Sequence, residues 1–243
     1  MSKLKLPEIT LVMIDTHCPQ LAKLAVEDSM ADIDYGGAII FSDKDLGVEN
    51  ASWVKIAKLD SLGDYCNLVW YDLPGCLATP WALIIQWDSW VANAQCWDNE
   101  FLKYDYIGAP WWYDDGLNVG NGCGLRSLRL MNFLVDNKDE FPLLTPREDH
   151  VLCRIHRRAL EEYGFRWAPD NVASRFSLET TRPSATSKHF MFHDSFNFPF
   201  VLEGKRLEER LQLMYATPYI RKSNKIDELK AGRRPLLLPQ LAA

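Results

Sequence analysis

Residues Trp81–Val91 read WALIIQWDSWV, and this stretch decides the fold of the chain. The apolar run from Leu83 to Ile85 is typical of a buried strand, and it stops at the polar Gln86 and the carboxylate of Asp88. Open α/β sheets bind their ligands beyond the carboxyl ends of their strands. The stretch by itself fits a strand that delivers an acid to a ligand site and, equally, a strand followed by an ordinary acidic turn; the segments that follow favour the ligand site.

Strands and helices alternate through the first half of the chain. Apolar residues at helical spacing predict a helix over Pro19–Ile33, and Asp60-Ser61 caps a second helix that runs through Trp70. Besides the strand that ends at Gln86, buried strands are predicted at Glu8–Asp15, Gly37–Asp43 and Trp53–Leu59. This alternation implies parallel pairing with right-handed crossovers. We therefore predict an α/β fold with a Rossmann-type, mostly parallel sheet and helices on both faces.

The second half, from near Trp97, is less regular. Gly116–Gly124 contains four glycines, and we expect a flexible segment there that opens onto a helix over Leu125–Val135. The run Thr145-Pro146-Arg147-Glu148 fits a capping box at the start of a helix that continues to about Tyr163. Shorter strands are predicted at Phe165–Ala168 and Lys188–His193.

Length and composition limit the classes of protein. A chain of 243 residues with 47% hydrophobic residues fits one domain, which we place at residues 1–222 with halves at 8–95 and 96–222, followed by a loose, charged tail at 223–243. The net charge of −6 argues against a general nucleic-acid binder. Six cysteines without a CxxC pair predict a reducing compartment. No signal peptide or membrane-spanning run is visible, so a soluble, cytoplasmic protein is expected.

Several segments together resemble a known family. They are the strand that ends in Gln86-Trp87-Asp88, the aromatic block Trp97–Trp111 with its sequence FLKYDYIGAPW, the run Gly120–Ser127 (GNGCGLRS), the pair Glu148-Asp149, and Phe190-Met-Phe-His193. In this order the segments are similar to an uncharacterised family of domains placed among the GT-A-type, nucleotide-sugar-dependent glycosyltransferases. The resemblance runs from about Glu8 to about His193. The chain departs from the family pattern at Asn121–Gly124, where two adjacent glycines and Phe-Ser are expected before Leu-Arg-Ser.

The resemblance implies a GT-A-like fold and a hexosyl- or pentosyltransferase whose donor is a nucleotide sugar, in the first place a UDP-sugar. The diphosphate leaving group carries about two negative charges, and a divalent cation is the usual device that neutralises them. By this resemblance Asp88 and His193 are the candidate ligands for Mn²⁺ or Mg²⁺.

The resemblance also implies a general base among the acids in the first turn of the helix that begins near Glu148, at the predicted cleft. Because the capping box already explains Glu148, the neighbouring Asp149 is the candidate base that takes the proton of the acceptor hydroxyl, which gives inversion at the anomeric carbon. Proton transfer of this kind contributes roughly a hundred- to ten-thousand-fold to a rate.

The remaining candidate residues divide between the two substrates. The donor is expected to contact Thr16, Asp43, Gln86, Asp88 and Arg126, and the acceptor side is expected to comprise Asp105, Tyr106, Trp111, Asn121 and Gly122. The acceptor itself is either a glycan or a hydroxylated base in modified DNA. For DNA, phosphate contacts would come from the helix that carries Arg154, Arg157 and Arg158 and from the basic tail (Arg221, Lys222, Lys225, Lys230, Arg233 and Arg234). The alternative function is a catalytically degenerate module of the same fold that binds a nucleotide or glycan without turning it over.

Overall fold

The computed structural model describes residues 2–179, 189–222 and 225–230. Within these residues the strands are β1 (Leu4–Ile14), β2 (Ile33–Ser42), β3 (Ser52–Lys55), β4 (Trp81–Ile85), β5 (Ser89–Val91), β6 (Tyr106–Pro110), β7 (Val119–Ser127), β8 (Ser177–Leu178) and β9 (Met191–His193).

The helices of the described residues are mostly short. They are α1 (Pro19–Ala31), α2 (Leu62–Asn67), α3 (Leu128–Asp136), α4 (Glu148–His150), α5 (Arg157–Glu162), α6 (Asp170–Phe176), α7 (Phe198–Val201), α8 (Gly204–Ala216), α9 (Pro218–Arg221) and α10 (Lys225–Lys230). Two π-helical segments, Leu68–Asp72 and Val151–Ile155, extend α2 and join α4 to α5. No helix in this part of the chain has both the length and the apolar surface that a bilayer span requires.

A mixed sheet forms the centre of the molecule. Among the described residues it has six strands in the order β3-β2-β1-β4-β7-β6. Strands β1 to β4 run parallel to one another, whereas β7 is antiparallel to both β4 and β6. The predicted α/β class with a mostly parallel sheet is therefore confirmed.

The second half of strand β1 is buried on both faces, which explains its continuous apolar run from Leu11 to Ile14. Leu11 and Met13 belong to the core cluster that includes the apolar side of α1, and Val12 and Ile14 belong to the cluster on the other face. The π-helical segment Leu68–Asp72 and α3 supply that second cluster. Helices therefore cover both faces of the sheet, as predicted.

The deciding stretch makes a strand, a tight turn and a second strand. After β4 the chain turns back at Gln86, whose carbonyl accepts a hydrogen bond of 2.9 Å from the Ser89 amide. Strand β5 then enters a second sheet, in which it pairs with β9 so that Ser89 lies opposite His193. This turn places Asp88 close to a histidine that is far away in sequence.

The glycine-rich segment differs from the prediction, because Val119–Ser127 is a strand rather than a flexible loop and the helix begins only at Leu128. The glycines permit close packing of this strand. A Cβ on Gly108 would lie 1.8 Å from the Gly120 carbonyl oxygen, and a Cβ on Gly120 would lie 2.2 Å from the Trp111 ring. Glycine serves here for close approach between backbones rather than for flexibility.

The predicted capping box at Thr145 is wrong. Helix α4 begins at Glu148 with Arg147 at the N-cap, where no side-chain hydrogen bond is made. The Glu148 carboxylate turns inward to a buried arginine instead. An ion pair inside the protein overrides the local capping signal.

The chain beyond residue 222 also differs from the expected loose tail. Residues 225–230 form α10, and Ile226 is buried in the core cluster that α1 lines. The rest of the predicted tail, residues 223–224 and 231–243, lies outside the described residues, as does Lys188 at the start of the last predicted strand, which the structure describes as Met191–His193.

Candidate functional site

Two adjoining cavities lie beyond the carboxyl end of β4. The first, here called the Asp149 cavity, measures about 350 Å³, and the second, the Asp88 cavity, about 430 Å³. Gln86 and His193 line both cavities and form the wall between them. The turn after β4 and the end of β9 therefore position the two side chains that any ligand spanning the cavities would meet.

A buried ion pair lies beside the Asp149 cavity, which Glu148 lines. Arg126 on β7 and Glu148 at the start of α4 are both only 2% exposed, and the guanidinium lies 2.8 Å and 3.0 Å from the two carboxylate oxygens. Burial raises the pKa of Glu148 to about 7, although Arg126 opposes that effect. Asp149, the next residue, also lines the cavity, and one of its carboxylate oxygens accepts a hydrogen bond from the His150 amide.

A polar network holds the wall between the cavities. Asn121 on β7 has a φ of +96°, and its amide nitrogen donates to the Glu179 carboxylate. The Nδ1 atom of His193 lies 3.0 Å from the same carboxylate. Burial lowers the pKa of His193, but Glu179 and the carboxylates of Asp88 and Asp194 outweigh burial and raise that pKa to about 9.

The acid of the deciding stretch is paired with a lysine. Asp88 is 3% exposed, and its Oδ2 atom accepts a hydrogen bond of 2.9 Å from the Nζ atom of Lys225 on α10. The same ammonium lies 3.2 Å from Oδ1 of Asp194. Burial alone would raise the pKa of Asp88, but Lys225 and then His193 lower it below its usual value.

These contacts test the predicted metal site. The carboxylates of Asp88 and Asp194 converge on an ammonium group, so a cation supplied by the chain already lies between them. Nowhere in the described residues do three or more His, Cys, Asp or Glu side chains form a group able to hold a metal ion. The arrangement of Asp88 and His193 therefore does not fit a divalent cation.

The other predicted donor residues, Thr16, Asp43 and Arg126, do not line the Asp88 cavity. Thr16, which follows β1, is buried and accepts a hydrogen bond of 3.1 Å from the Leu59 amide. Asp43, which follows β2, has one buried carboxylate oxygen without a hydrogen-bond partner among the described residues. Arg126 contacts Glu148 and the Gly122 carbonyl rather than this cavity.

The predicted acceptor residues divide into two groups. Trp111, Asn121 and Gly122 line the Asp149 cavity. Asp105 instead receives hydrogen bonds from Ser127 and Arg129. Its neighbour Tyr106 is fully buried and donates to the Asn121 carbonyl, so its hydroxyl supports the cavity from behind.

Aromatic side chains form one side of the Asp149 cavity. Trp111 is 8% exposed with its ring over Gly120, whereas Trp112 also lines the cavity and is 39% exposed. Trp112 is therefore the ring that a ligand in solution reaches first. An exposed aromatic ring beside carboxylates suits a sugar, which presents apolar faces and hydroxyl groups.

Several site residues had no clear signal in the sequence. Lys225 and Tyr219 come from the segment that follows α8, and Tyr219 stacks on His17 at a centroid distance of 4.6 Å. Glu179 and Asp194 flank β8 and β9 and lie in no motif. Of these residues, Glu148 alone belonged to a quoted motif, the Glu148-Asp149 pair. The apparent capping box predicted a role at the helix start for it and so gave no indication that its side chain turns inward.

One family model and several solved structures are similar to this chain. The model of a family described as "Protein of unknown function (DUF5672)" matches residues 72–192. No curated protein matches the chain.

Three solved glycosyltransferases are similar to the chain in structure. One, involved in glycosylation of the major capsid of PBCV-1, has 12% identity and a TM-score of 0.49 over 85% of this chain and 98% of its own. GlyE of Streptococcus pneumoniae TIGR4 in its apo form has 9% identity and a TM-score of 0.47 over 86% of this chain and 63% of its own. An active-site mutant of LgtC has 11% identity and a TM-score of 0.47 over 86% of this chain and 96% of its own. TM-scores below 0.5 leave the activity to be inferred from the site itself.

Proposed function

We propose that this protein is a glycosyltransferase that moves a sugar from a nucleotide sugar, in the first place a UDP-sugar, to an acceptor hydroxyl. One observation supports this above all: the Asp88 and Asp149 cavities adjoin and share Gln86 and His193 as their common wall. Transfer between two substrates requires two binding spaces that meet at one point. In this proposal the anomeric carbon of the donor lies at that wall.

The Asp88 cavity suits the donor. It is lined by Tyr219, whose ring stacks on His17, and by Lys222 and Lys225, so it offers an aromatic surface and two ammonium groups. A nucleotide base has flat faces that stack on such rings, and a diphosphate is attracted to cations. Its volume of about 430 Å³ lies within the usual range for small-molecule sites.

The Asp149 cavity suits the acceptor and its activation. As the acceptor oxygen forms its bond to the anomeric carbon, the bond from that carbon to the diphosphate breaks, and the nucleoside diphosphate leaves with the bonding electron pair. Asp149 accepts the hydroxyl proton. Attack from the side opposite to the leaving group inverts the anomeric configuration.

Asp149 is the better base of the two adjacent acids. The oxygens of Glu148 both face Arg126, so Glu148 is held in place and cannot turn towards an acceptor without breaking a buried ion pair. Asp149 has no such partner in the described contacts beyond the adjacent His150 amide. Glu148 therefore serves to fix the start of α4, and Asp149 serves as the base.

A glycan is the acceptor that the charges favour. Two of the three helix arginines that would bind DNA phosphates are already paired, Arg154 with Asp115 at 2.7 Å and Arg157 with Glu161 at 2.9 Å. Arg154 also stacks on the Tyr113 ring. A gel-shift assay with duplex DNA over a range of salt concentrations tests the alternative acceptor, a hydroxylated base in DNA. Binding to DNA at low salt would support that alternative.

The test of the function is nucleotide release from a panel of UDP-sugars, with and without saccharide acceptors. We expect acceptor-dependent UDP release by the parent protein, and a loss of about 100- to 10,000-fold in kcat for Asp149→Asn. Asp139→Asn, at an exposed acid outside both cavities, is the matched control and should keep full activity.

The outcomes separate the candidate functions. Nucleotide binding without turnover of any donor would favour the binding module. Release that ignores the acceptor would indicate a hydrolase. Turnover by Asp149→Asn equal to that of the control would remove Asp149 as the base.

A further inference from the structure

Described residues of the segment after α8 line the Asp88 cavity and are held there by two apolar anchors. Ile226 is 7% exposed within the core cluster, and Ile220 is 2% exposed. Between these anchors the chain presents Lys222 and Lys225 to the cavity. The position of Lys225 is therefore set by packing on both sides of it.

The ammonium of Lys225 is held at a defined point. It contacts Asp88 at 2.9 Å and Asp194 at 3.2 Å, and it lies 5.4 Å from the centroid of the Trp87 ring. The Asp88 side chain is 4% exposed, whereas that of Lys225 is 32% exposed. An ammonium group has three N–H donors, and two carboxylates engage two of them. The third donor and the exposed side of the group are left for a ligand in the cavity.

A fixed cation at this point would stabilise the negative charge that develops in the proposed reaction. Negative charge grows on the diphosphate as the anomeric bond breaks, and a preorganised positive group beside it stabilises the transition state. Two carboxylates hold the ammonium in place, much as they would hold a metal ion. Lys222 adds a second positive charge. The formal charges of Asp88, Asp194, Lys222 and Lys225 therefore sum to zero before the donor binds.

We propose that Lys225 is the cation that binds the donor diphosphate, and that donor binding and transfer therefore proceed without a divalent metal. This inference rests on the proposed function, because it assigns a role towards the donor of that reaction. The alternative is that Lys225 occupies the point only until a metal–donor complex displaces it. The two alternatives differ in whether chelation and removal of the lysine weaken or strengthen nucleotide binding.

The experiment measures binding of UDP, GDP, CDP and ADP to the full chain by calorimetry, first with EDTA and then with Mn²⁺ or Mg²⁺. We expect at least one of these nucleotides, in the first place UDP, to bind in EDTA with little change on adding metal. Lys225→Ala should weaken that binding about 10- to 100-fold, the loss of one charge-assisted hydrogen bond. Lys225→Arg should recover most of it, and Lys222→Ala, which removes an ammonium from the same cavity but no described ion pair, should change it only a few-fold.

Two controls keep the result interpretable. Thermal unfolding reports whether Lys225→Ala, which leaves Asp88 without its partner, is still folded. The double variant Asp88→Asn/Lys225→Met removes both charges and should fold, yet bind nucleotide as weakly as Lys225→Ala. Nucleotide binding by the parent protein in EDTA is a test that depends on no variant, so it holds whether or not Lys225→Ala folds.

The outcomes distinguish the two proposals. Nucleotide binding only with metal, or tighter binding by Lys225→Ala, would overturn the role of Lys225 and leave the glycosyltransferase proposal standing. If no nucleotide binds with or without metal, both fail. Binding in EDTA that Lys225→Ala weakens and Lys225→Arg restores supports the inference.

Discussion

Replacing Gly108 by alanine should destabilise the protein by about 1–5 kcal/mol, because it forces apart strands β6 and β7 beside the Asp149 cavity. The new Cβ would lie 1.8 Å from the Gly120 carbonyl oxygen and 2.8 Å from its carbonyl carbon. Both atoms belong to the backbone of β7, so no flexible side chain can yield. To reach 3.0 Å the strands must separate locally by roughly 1.2 Å.

The magnitude follows from what that separation breaks. Overpacking of a close-packed interior costs about 1–3 kcal/mol. The pairing of Ala109 with Gly120 is adjacent to the clash, and the loss of one or two of its backbone hydrogen bonds adds about 1 kcal/mol each. The alanine offsets about 0.4–1 kcal/mol of this destabilisation because it lowers the conformational entropy of the unfolded chain. The sum remains clearly destabilising and is a large part of a typical unfolding free energy of 5–15 kcal/mol.

Urea unfolding followed by tryptophan fluorescence measures the effect. The matched control is Gly75→Ala, since a Cβ on Gly75 would meet no atom within 4 Å, and this variant should stay within about 1 kcal/mol of the parent. A Gly108→Ala variant as stable as the Gly75→Ala control would refute the explanation of the glycine-rich strand given above.

Two further stability predictions concern buried charges. Burial raises the pKa of Asp15 from 3.8 to about 6, so the stability that its proton contributes is present below pH 3.8 and is lost as the pH rises through 6. Relative to Asp15→Asn, the unfolding free energy of the parent should therefore fall by up to about 3 kcal/mol between pH 4 and pH 7. Urea unfolding across that pH range measures this change. A difference in unfolding free energy between parent and variant that stays constant with pH would contradict the prediction. Arg126→Met should cost about 3–5 kcal/mol at pH 7 because it leaves Glu148 buried without its partner, whereas Arg126→Met/Glu148→Leu should recover much of that loss. Equal stability of the single and double variants in a thermal or urea assay would show that the pair is not coupled.

Local sequence was enough to predict the four parallel strands of the central sheet, β1 to β4. The apolar runs of β1, β2 and β4 are continuous because these strands are covered by helices on both faces, and that burial is imposed residue by residue along each strand. Hydrophobic spacing likewise located α1, and the Ser61–Asp64 capping box marks the start of α2. The polar residues at strand ends then pointed to the edge of the sheet at which the two cavities lie.

Local rules failed where a distant partner decides the structure. The glycines of β7 resemble a loop until β6 and the Trp111 ring are packed against them. Thr145–Glu148 resembles a cap until Arg126, 22 residues away from Glu148, is buried beside it. In both places a contact made after folding outweighs a local preference of about 1 kcal/mol.

The sequence by itself predicted the α/β class, the first four strands and the edge of the sheet at which Asp88 and Asp149 lie. Only the tertiary structure decided how these acids are used. Asp88 meets Lys225 across 137 residues of chain, and Glu148 rather than Asp149 takes the buried arginine. The physical reason is that periodicity records which side of an element is buried, whereas the charge of a site depends on which distant side chains fold into it.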